Sequence, residues 1–325
     1  MNCKKVSIII PCYNCEEWLE RSLNSLINQT CDDFEVIFID DGSKDNSSET
    51  AKKILSKSSI QHKIIKKKNE GVSVARNIGI ENSNGEILYF LDSDDYVEDT
   101  LCETIIDTIN KNDVDIMFFK YKSKKKFAEY NKYNLVMNSE TMLIDLLSYK
   151  FMYHICAFAV KKSVIINNNI KFTEGARYGE DHEFIIKALC NSNKGIVLDK
   201  VLFNYCERDN SAVQKFTLAR MDSLESALRT KNYMEKYYND DKINKEICKY
   251  IASKLIYNIE EIIKFKKANK IDVDVEKKIL CVIKDNRKYL KYYFKCHKKL
   301  GILKNCLMIY ISPSFFVNYK VKINK

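Results

Sequence analysis

The sequence predicts an α/β protein with a mostly parallel central sheet flanked by helices, followed by a helical C-terminal region. Two observations carry that expectation. Short apolar runs rich in β-branched and aromatic residues alternate with stretches of helical period, and the intervening lengths suit parallel crossovers, which need a dozen or more residues. Polar or acidic clusters also follow three of the apolar runs directly, as ligand-binding turns do at the carboxyl ends of strands in open α/β sheets.

The elements follow in order. Val6–Ile10 reads as a strand, and Leu19, Leu23, Leu26 and Ile27 then share one helical face. Phe34–Ile39 is the next strand, followed by a helix over residues 46–56, a short run at Ile64–Ile65, a helix over Val72–Ile80 and a strand at Ile87–Leu91. Leu101–Ile109 predicts a helix and Val114–Phe119 a strand; residues 139–211 mix both signals. Beyond them the helical pattern dominates, in Met221–Tyr237 and Ile243–Lys266. Tyr289, Tyr293, Cys296, Leu300, Leu303, Leu307 and Tyr310 recur at spacings of four and three, which predicts one final amphipathic helix.

Charge divides the chain. Residues 1–211 carry 28 Lys+Arg against 32 Asp+Glu, and residues 212–325 carry 26 against 12. The expected organisation is therefore a first domain over 1–211 and a basic, mostly helical region over 212–325. With 46% hydrophobic residues, two prolines and eight glycines, the composition excludes a long disordered or collagen-like tract. The 12 cysteines are scattered, and the Cys12-x-x-Cys15 pair has no second pair to complete a zinc site. The first strand begins too early for a signal peptide to precede it. Free thiols in a reducing cytoplasm are expected. No uncharged apolar stretch reaches the ~18 residues that a membrane span needs.

The clusters suggest chemistry. Asp92-Ser93-Asp94 places two carboxylates at alternate positions beyond an apolar strand, and such hard oxygen donors suit Mg²⁺ or Mn²⁺ completed by substrate phosphates. An EF-hand is excluded, because Tyr96 and Val97 stand where an oxygen ligand and a glycine belong. Haloacid-dehalogenase phosphatases also carry Asp-x-Asp after a strand, but usually after the first, and with a small hydroxyl or β-branched residue where Tyr96 stands. No Gly-rich dinucleotide fingerprint or P-loop occurs, so a cation and basic side chains would hold phosphates. Arg76 is either one of those side chains or a solvated helix charge. Tyr13 is either a platform for a nucleobase or a packed aromatic. Asp40 and Asp41 either accept a hydrogen bond from the base or cap an Asp-Gly-Ser turn. The acids of Tyr178-Gly179-Glu180-Asp181-His182-Glu183 either do chemistry or cap the apolar helix that follows.

The strings VSIIIPCYNCEEWLERSLNSLINQ, FEVIFIDDGSKDNS, GVSVARNIGI, GEILYFLDSDDYVEDTL and YGEDHEF, in that order over roughly residues 4–211, resemble the inverting family 2 glycosyltransferases, above all the bacterial capsule and exopolysaccharide members. The resemblance implies a GT-A fold, a nucleotide-sugar donor, most often a UDP-sugar, and a divalent cation, Mg²⁺ or Mn²⁺. It implies that Pro11, Tyr13, Asn14 and Glu16 belong to the base-binding turn, that Asp41 with Asp40 reads the base, that Asp92 contacts the ribose with Ser93 beside it, and that Asp94 bridges the metal. It makes Asp181 the general base, next to Glu180, for attack by a hydroxyl of a glycan or lipid-linked acceptor in surface-polysaccharide synthesis, with inversion at the anomeric carbon. Two departures stand out. Cys206 occupies a position where relatives commonly carry Arg, leaving Arg208 as the substitute contact to the diphosphate, and a Trp common near Cys156–Val160 is absent. An inactive scaffold subunit of a polysaccharide-assembly complex is the non-enzymatic alternative, although it would need neither Asp94 nor Asp181.

After Asp285 no acidic residue occurs, while Arg287, Lys288, Lys291, Lys295, Lys298, Lys299, Lys304, Lys320, Lys322 and Lys325 are basic. Residues 286–325 therefore suit peripheral contact with an anionic membrane at its inner face, where each basic residue contributes about 1 kcal/mol; the other reading is a packed helix with a solvated basic face. The same charge would serve nucleic acid, but no nucleic-acid-binding module accompanies it.

Overall fold

The computed structural model describes residues 5–122, 130–206, 218–296 and 300–323. The chain divides into two compact units, Met1–Gly175 with Phe184–Glu207, and Ala176–Glu183 with Arg208–Lys325. The boundary expected at 211/212 thus lies a few residues earlier, and the second unit also takes a short segment from inside the first. That segment is tied to later helices by side-chain hydrogen bonds.

The first unit holds a nine-stranded sheet in the order β3-β2-β1-β4-β8-β6-β9-β5, with β7 beside β9. Its core is β1 (Val6–Cys12), between β2 (Phe34–Asp40) and β4 (Ile87–Phe90), with β3 (Gln61–Lys66) outside β2; all of these pairs are parallel. Every residue of β1, β2 and β4 is buried, as continuous apolar runs are when helices cover both faces of a parallel sheet. Beyond β4 the pairing changes. β8 (Phe158–Lys161) runs antiparallel to both β4 and β6 (Ile116–Lys122), and β9 (Lys194–Asn204) is parallel to β6 but antiparallel to β5 (Tyr96–Val97) and β7 (Val136–Asn138).

Helices α1 (Glu16–Ile27), α2 (Ser47–Leu55), α3 (Val72–Asn82) and α4 (Leu101–Asn112) make the crossovers close to where the periodicity places them. α3 lies almost against β1: a Cβ on Gly79 would meet Cγ2 of Ile9 at 2.3 Å. Pro11 can sit in a central strand because the β1–β4 register ends at Ile9–Phe90, so no ladder bond is asked of its missing N–H on that side. α5 (Ser139–Leu147) and α6 (Lys162–Asn167) complete this unit's short helices, and α7 (Glu180–Cys190) starts in the segment assigned to the second unit.

The second unit is helical, with α8 (Asp222–Met234), α9 (Asp241–Lys267), α10 (Val273–Asn286), α11 (Leu290–Cys296), α12 (Leu300–Ile311) and α13 (Pro313–Ile323). The single terminal helix expected from the stripe is several: α11 ends at Cys296, α12 begins at Leu300, and Leu307 and Tyr310 on that stripe are exposed. Lys298, Lys299 and Lys325 lie outside the described residues. Among the described residues no helix is long and apolar enough to cross a membrane.

Candidate active site

β2 and β4 flank β1 in parallel, so the turns after all three open on the same edge of the sheet. The order β3-β2-β1-β4 makes β1/β4 the place where successive crossovers leave in opposite directions, the position at which open α/β sheets bind ligands.

Beyond β1 the chain turns sharply at Asn14, which is left-handed at φ 51°, a conformation Asn tolerates better than most residues. Cys12 and Cys15, read from the sequence as free thiols, are joined across this turn, their Cα atoms 6.0 Å apart. Tyr13, at the tip, is 46% exposed, which rules out the packed reading. Asn14 and Glu16 face the neighbouring loop: Asn14 Oδ1 accepts from Lys44 N–H at 2.8 Å, Glu16 Oε2 accepts from Asn46 N–H at 3.0 Å, and Asn14 N–H donates to Ser43 Oγ. These two residues fix the shape of the turn that presents Tyr13.

At the end of β2 both acids are buried and already bonded. Asp40 Oδ1 accepts from Ser43 N–H at 2.8 Å, so the capped-turn reading holds for that oxygen. Asp41 accepts from Lys67 Nζ at 2.6 Å, from Glu70 N–H at 2.9 Å and from Gly71 N–H at 2.8 Å. Burial opposes the charge of Lys67, but Asp41 and Glu70 outweigh it and raise its pKa. Asp41 thus anchors the loop that leads into α3.

The acidic turn beyond β4 is held by a buried arginine. Arg76 on α3 is buried, which excludes the solvated reading, and donates from Nη2 to Asp92 Oδ1 at 2.8 Å. Its guanidinium also lies 5.2 Å from the centroid of the Phe172 ring. Burial favours the neutral form of Asp92, yet the charge of Arg76, then that of His154, holds its carboxyl below the ordinary value. Asp95 N–H donates to the Asp92 carbonyl and Asp95 Oδ1 accepts from Cys206 N–H at 2.8 Å, while Arg21 donates to the carbonyl of Asp94. Ser93 is buried between them and Asp94 is half-buried.

Asp92, Asp95 and Cys156 bring one potential ligand atom each within 4.8 Å of one another. Asp94, expected as the metal ligand, is not in that trio. The carboxylates fit a hard divalent cation. Cys156 does not, because a soft sulfur ligand suits other metals than Mg²⁺ or Mn²⁺; without a cation, burial, then the charges of Asp92 and Asp95, push its thiol well above its ordinary pKa.

The sequence missed several of these partners. Asp95 stood in plain view beside Asp94. His154 and Cys156 lie some sixty residues from Asp92 in a segment of mixed signals, and no spacing rule connects them. Arg208 lies outside the described residues.

Asp181 belongs to the other unit, in the first turn of α7 with Glu180 and Glu183, where the helix dipole favours negative charge. It is half-buried, and Glu180 and Glu183 are buried.

Residues 7–167 match the family described as glycosyl transferase family 2. The chain is 28% identical over 267 residues to EpsJ of Bacillus subtilis, an uncharacterized glycosyltransferase, covering 78% of this chain and 77% of that one. It is 35% identical over 193 residues to TarP of Staphylococcus aureus, a poly(ribitol-phosphate) β-N-acetylglucosaminyltransferase, covering 58% of each. Residues 1–349 of S. aureus TarS, solved with UDP-GlcNAc, share the fold at a TM-score of 0.72 and 19% identity, over 98% of this chain and 89% of that one.

Proposed function

Because the chain belongs to glycosyl transferase family 2 through residues 7–167 and has the GT-A fold, we infer that it transfers a sugar from a nucleoside-diphosphate sugar to an acceptor hydroxyl. One observation carries the donor half: the turns after β1, β2 and β4 open on one edge and hold an exposed aromatic, buried carboxylates and the Arg76–Asp92 pair. Tyr13 stacks on the base, Asp92 takes the ribose, and the Asp92–Asp95 turn with Asp94 holds the divalent cation. That cation, when bound, supplies positive charge to the departing diphosphate. A UDP-sugar is the preferred donor, in keeping with the UDP-GlcNAc bound by TarS and the N-acetylglucosaminyl transfer in the name of TarP. Those names turn the acceptor towards a polyol-phosphate polymer of the cell surface as well as a capsular glycan.

Asp181 is the base that removes the acceptor proton, so the sugar inverts. Losing one placed base costs about 10²–10⁴ in rate. Asp181→Asn is expected to retain UDP-sugar affinity and to lose transfer by that factor; unchanged turnover removes Asp181 from the mechanism. A panel of UDP- and GDP-sugars with Mg²⁺ or Mn²⁺ tests the whole reading. Nucleoside diphosphate release supports it, and orthophosphate released from a phosphomonoester supports the phosphatase instead. The phosphatase is disfavoured by the place of Asp92, after β4 rather than after the first strand.

A second reading concerns where the protein works. Leu307, Tyr310, Ile311 and Phe315 are exposed around the α12–α13 turn, in a segment without acidic residues, which supports contact with an anionic lipid surface. Co-sedimentation with phosphatidylglycerol vesicles, lost on Ile311→Glu/Phe315→Glu, is the expected outcome; binding that survives both changes contradicts it.

A further inference from the structure

Asp181 sits in the first turn of α7, just after a loop with two left-handed glycines. Gly175 and Gly179, at φ +78° and +85°, bracket its approach, and a base must be held to about half an ångström to act. Part of what holds it comes from the later helices of its own unit. Asp222, Ser226 and Arg229, at spacings of four and three, share one face of α8, and each bonds the segment. Asp222 Oδ2 accepts from Arg177 N–H at 2.8 Å, Ser226 Oγ donates to the Gly179 carbonyl at 2.6 Å, and Arg229 donates to Glu183 Oε2 from Nε at 3.0 Å and Nη2 at 2.8 Å. From α9, Tyr250 Oη shares a 2.8 Å hydrogen bond with Nδ1 of His182, the residue after Asp181.

The fit is close. A Cβ on Gly179 would meet Cβ and Oγ of Ser226 at 3.0 Å, and Ser226, Tyr250 and Glu183 are each 2% exposed. The Gly179 carbonyl also accepts the first helical bond of α7, from Glu183 N–H at 3.0 Å. Ser226 therefore grips the residue at which the helix carrying Asp181 begins.

We infer that Ser226 and Tyr250 are positioning residues for Asp181, and that α8 and α9 serve as the mount of the catalytic base. The inference rests on Asp181 being that base. A purely structural contact would affect stability; a mount affects turnover at constant donor affinity.

Two single-hydroxyl deletions test it. Tyr250→Phe keeps the ring over which Lys254 Nζ sits, 4.8 Å from its centroid, and Ser226→Ala removes one oxygen. With UDP-GlcNAc and Mn²⁺, and water as the acceptor, each is expected to lower kcat about 10- to 100-fold while KM and UDP affinity change less than 2-fold. Leu143→Ala, in the core of the first unit on α5, is the stability control: it should lower Tm and leave the kcat of the folded enzyme intact. Amide exchange needs no donor, and both hydroxyl variants should speed exchange at residues 180–183 about 10-fold. Wild-type kcat, or wild-type exchange where UDP-GlcNAc is not turned over, overturns the mount. If Asp181→Asn loses turnover while the hydroxyl variants keep it, only the mount falls; if Asp181→Asn keeps it, the base assignment falls first.

Discussion

Asp92 and Asp181 are both carboxylates beside an apolar run, and different physics holds them. Asp92 lies two residues beyond a buried strand, β4, which the sheet holds on both sides, and its charge is matched by Arg76, 16 residues earlier on the helix packed against β1. Asp181 sits in the first turn of a helix that follows two left-handed glycines, and bonds to its segment come from residues 45 to 68 positions further on. A sheet positions side chains through its ladder, while a loop at a helix start borrows rigidity from whatever packs on it.

The largest effect that sharpens this contrast is expected at the acidic turn. Asp94→Asn removes a carboxylate from the cation's neighbourhood and should reduce transfer by about 10²-fold or more, because a bound cation contributes several kcal/mol to transition-state charge. Unlike Asp181→Asn, it should also weaken UDP-sugar binding and raise the Mn²⁺ concentration needed for half-maximal rate. If the metal dependence is unchanged and Asp95→Asn moves it instead, the ligands are the Asp92–Asp95 pair of the trio. Chelation by EDTA, reversed by Mn²⁺ or Mg²⁺, is the accompanying measurement.

Next in size is Arg76→Met, which keeps the apolar stem against Phe172 and deletes the guanidinium. Leaving Asp92 without its cation should cost about 2 kcal/mol of stability at neutral pH, less than for a fully buried pair because Asp92 keeps 29% of its side-chain surface. The sign with pH follows from the depressed carboxyl. The pair's contribution is fully present above the ordinary Asp value of about 3.9 and is lost as pH falls through the lower folded value. The gap in Tm between wild type and variant should therefore be widest at neutral pH and close on acidification below about pH 4. A gap that stays constant down to pH 3 would mean that the loss is one of packing.

The same contrast explains what the sequence could and could not say. β1, β2 and β4 were legible because burial on both faces forces uninterrupted apolar runs, and their turns were legible because each ligand group adjoins its strand. α1 to α4 followed from period. The antiparallel return through β8 was not, since a four-residue apolar strand looks the same in either direction. Neither was the partnership of His154 and Cys156 with Asp92, which exists only after β8 has docked. Asp222, Ser226 and Arg229 could have been flagged as a polar stripe on a helix, but nothing in their spacing names residues 176–183 as what they hold. The long terminal stripe misled because spacing alone does not show what covers a face: Leu307 and Tyr310, both on it, are exposed.

The smallest effect belongs to Tyr13, and it tests the most legible end of the molecule. Asn14 turns the backbone left-handed, its side chain and that of Glu16 bond to residues 44 and 46, and Tyr13 is left with 46% of its surface exposed where the base is expected. An aromatic on a prepared turn offers a stacking face at low entropic cost, and base–aromatic stacking is worth about 1–3 kcal/mol. Tyr13→Ala should therefore weaken UDP binding by roughly 10-fold, near the lower end of that range, with Tm nearly unchanged because an exposed side chain stabilises little. Tyr13→Phe should bind as wild type, since the ring face and not the hydroxyl makes the contact. If Tyr13→Ala changes UDP affinity by less than 2-fold in calorimetry, the base lies off this turn. Asn14 and Glu16 would then be holding a loop for its own sake, and the donor end would be legible only in its carboxylates.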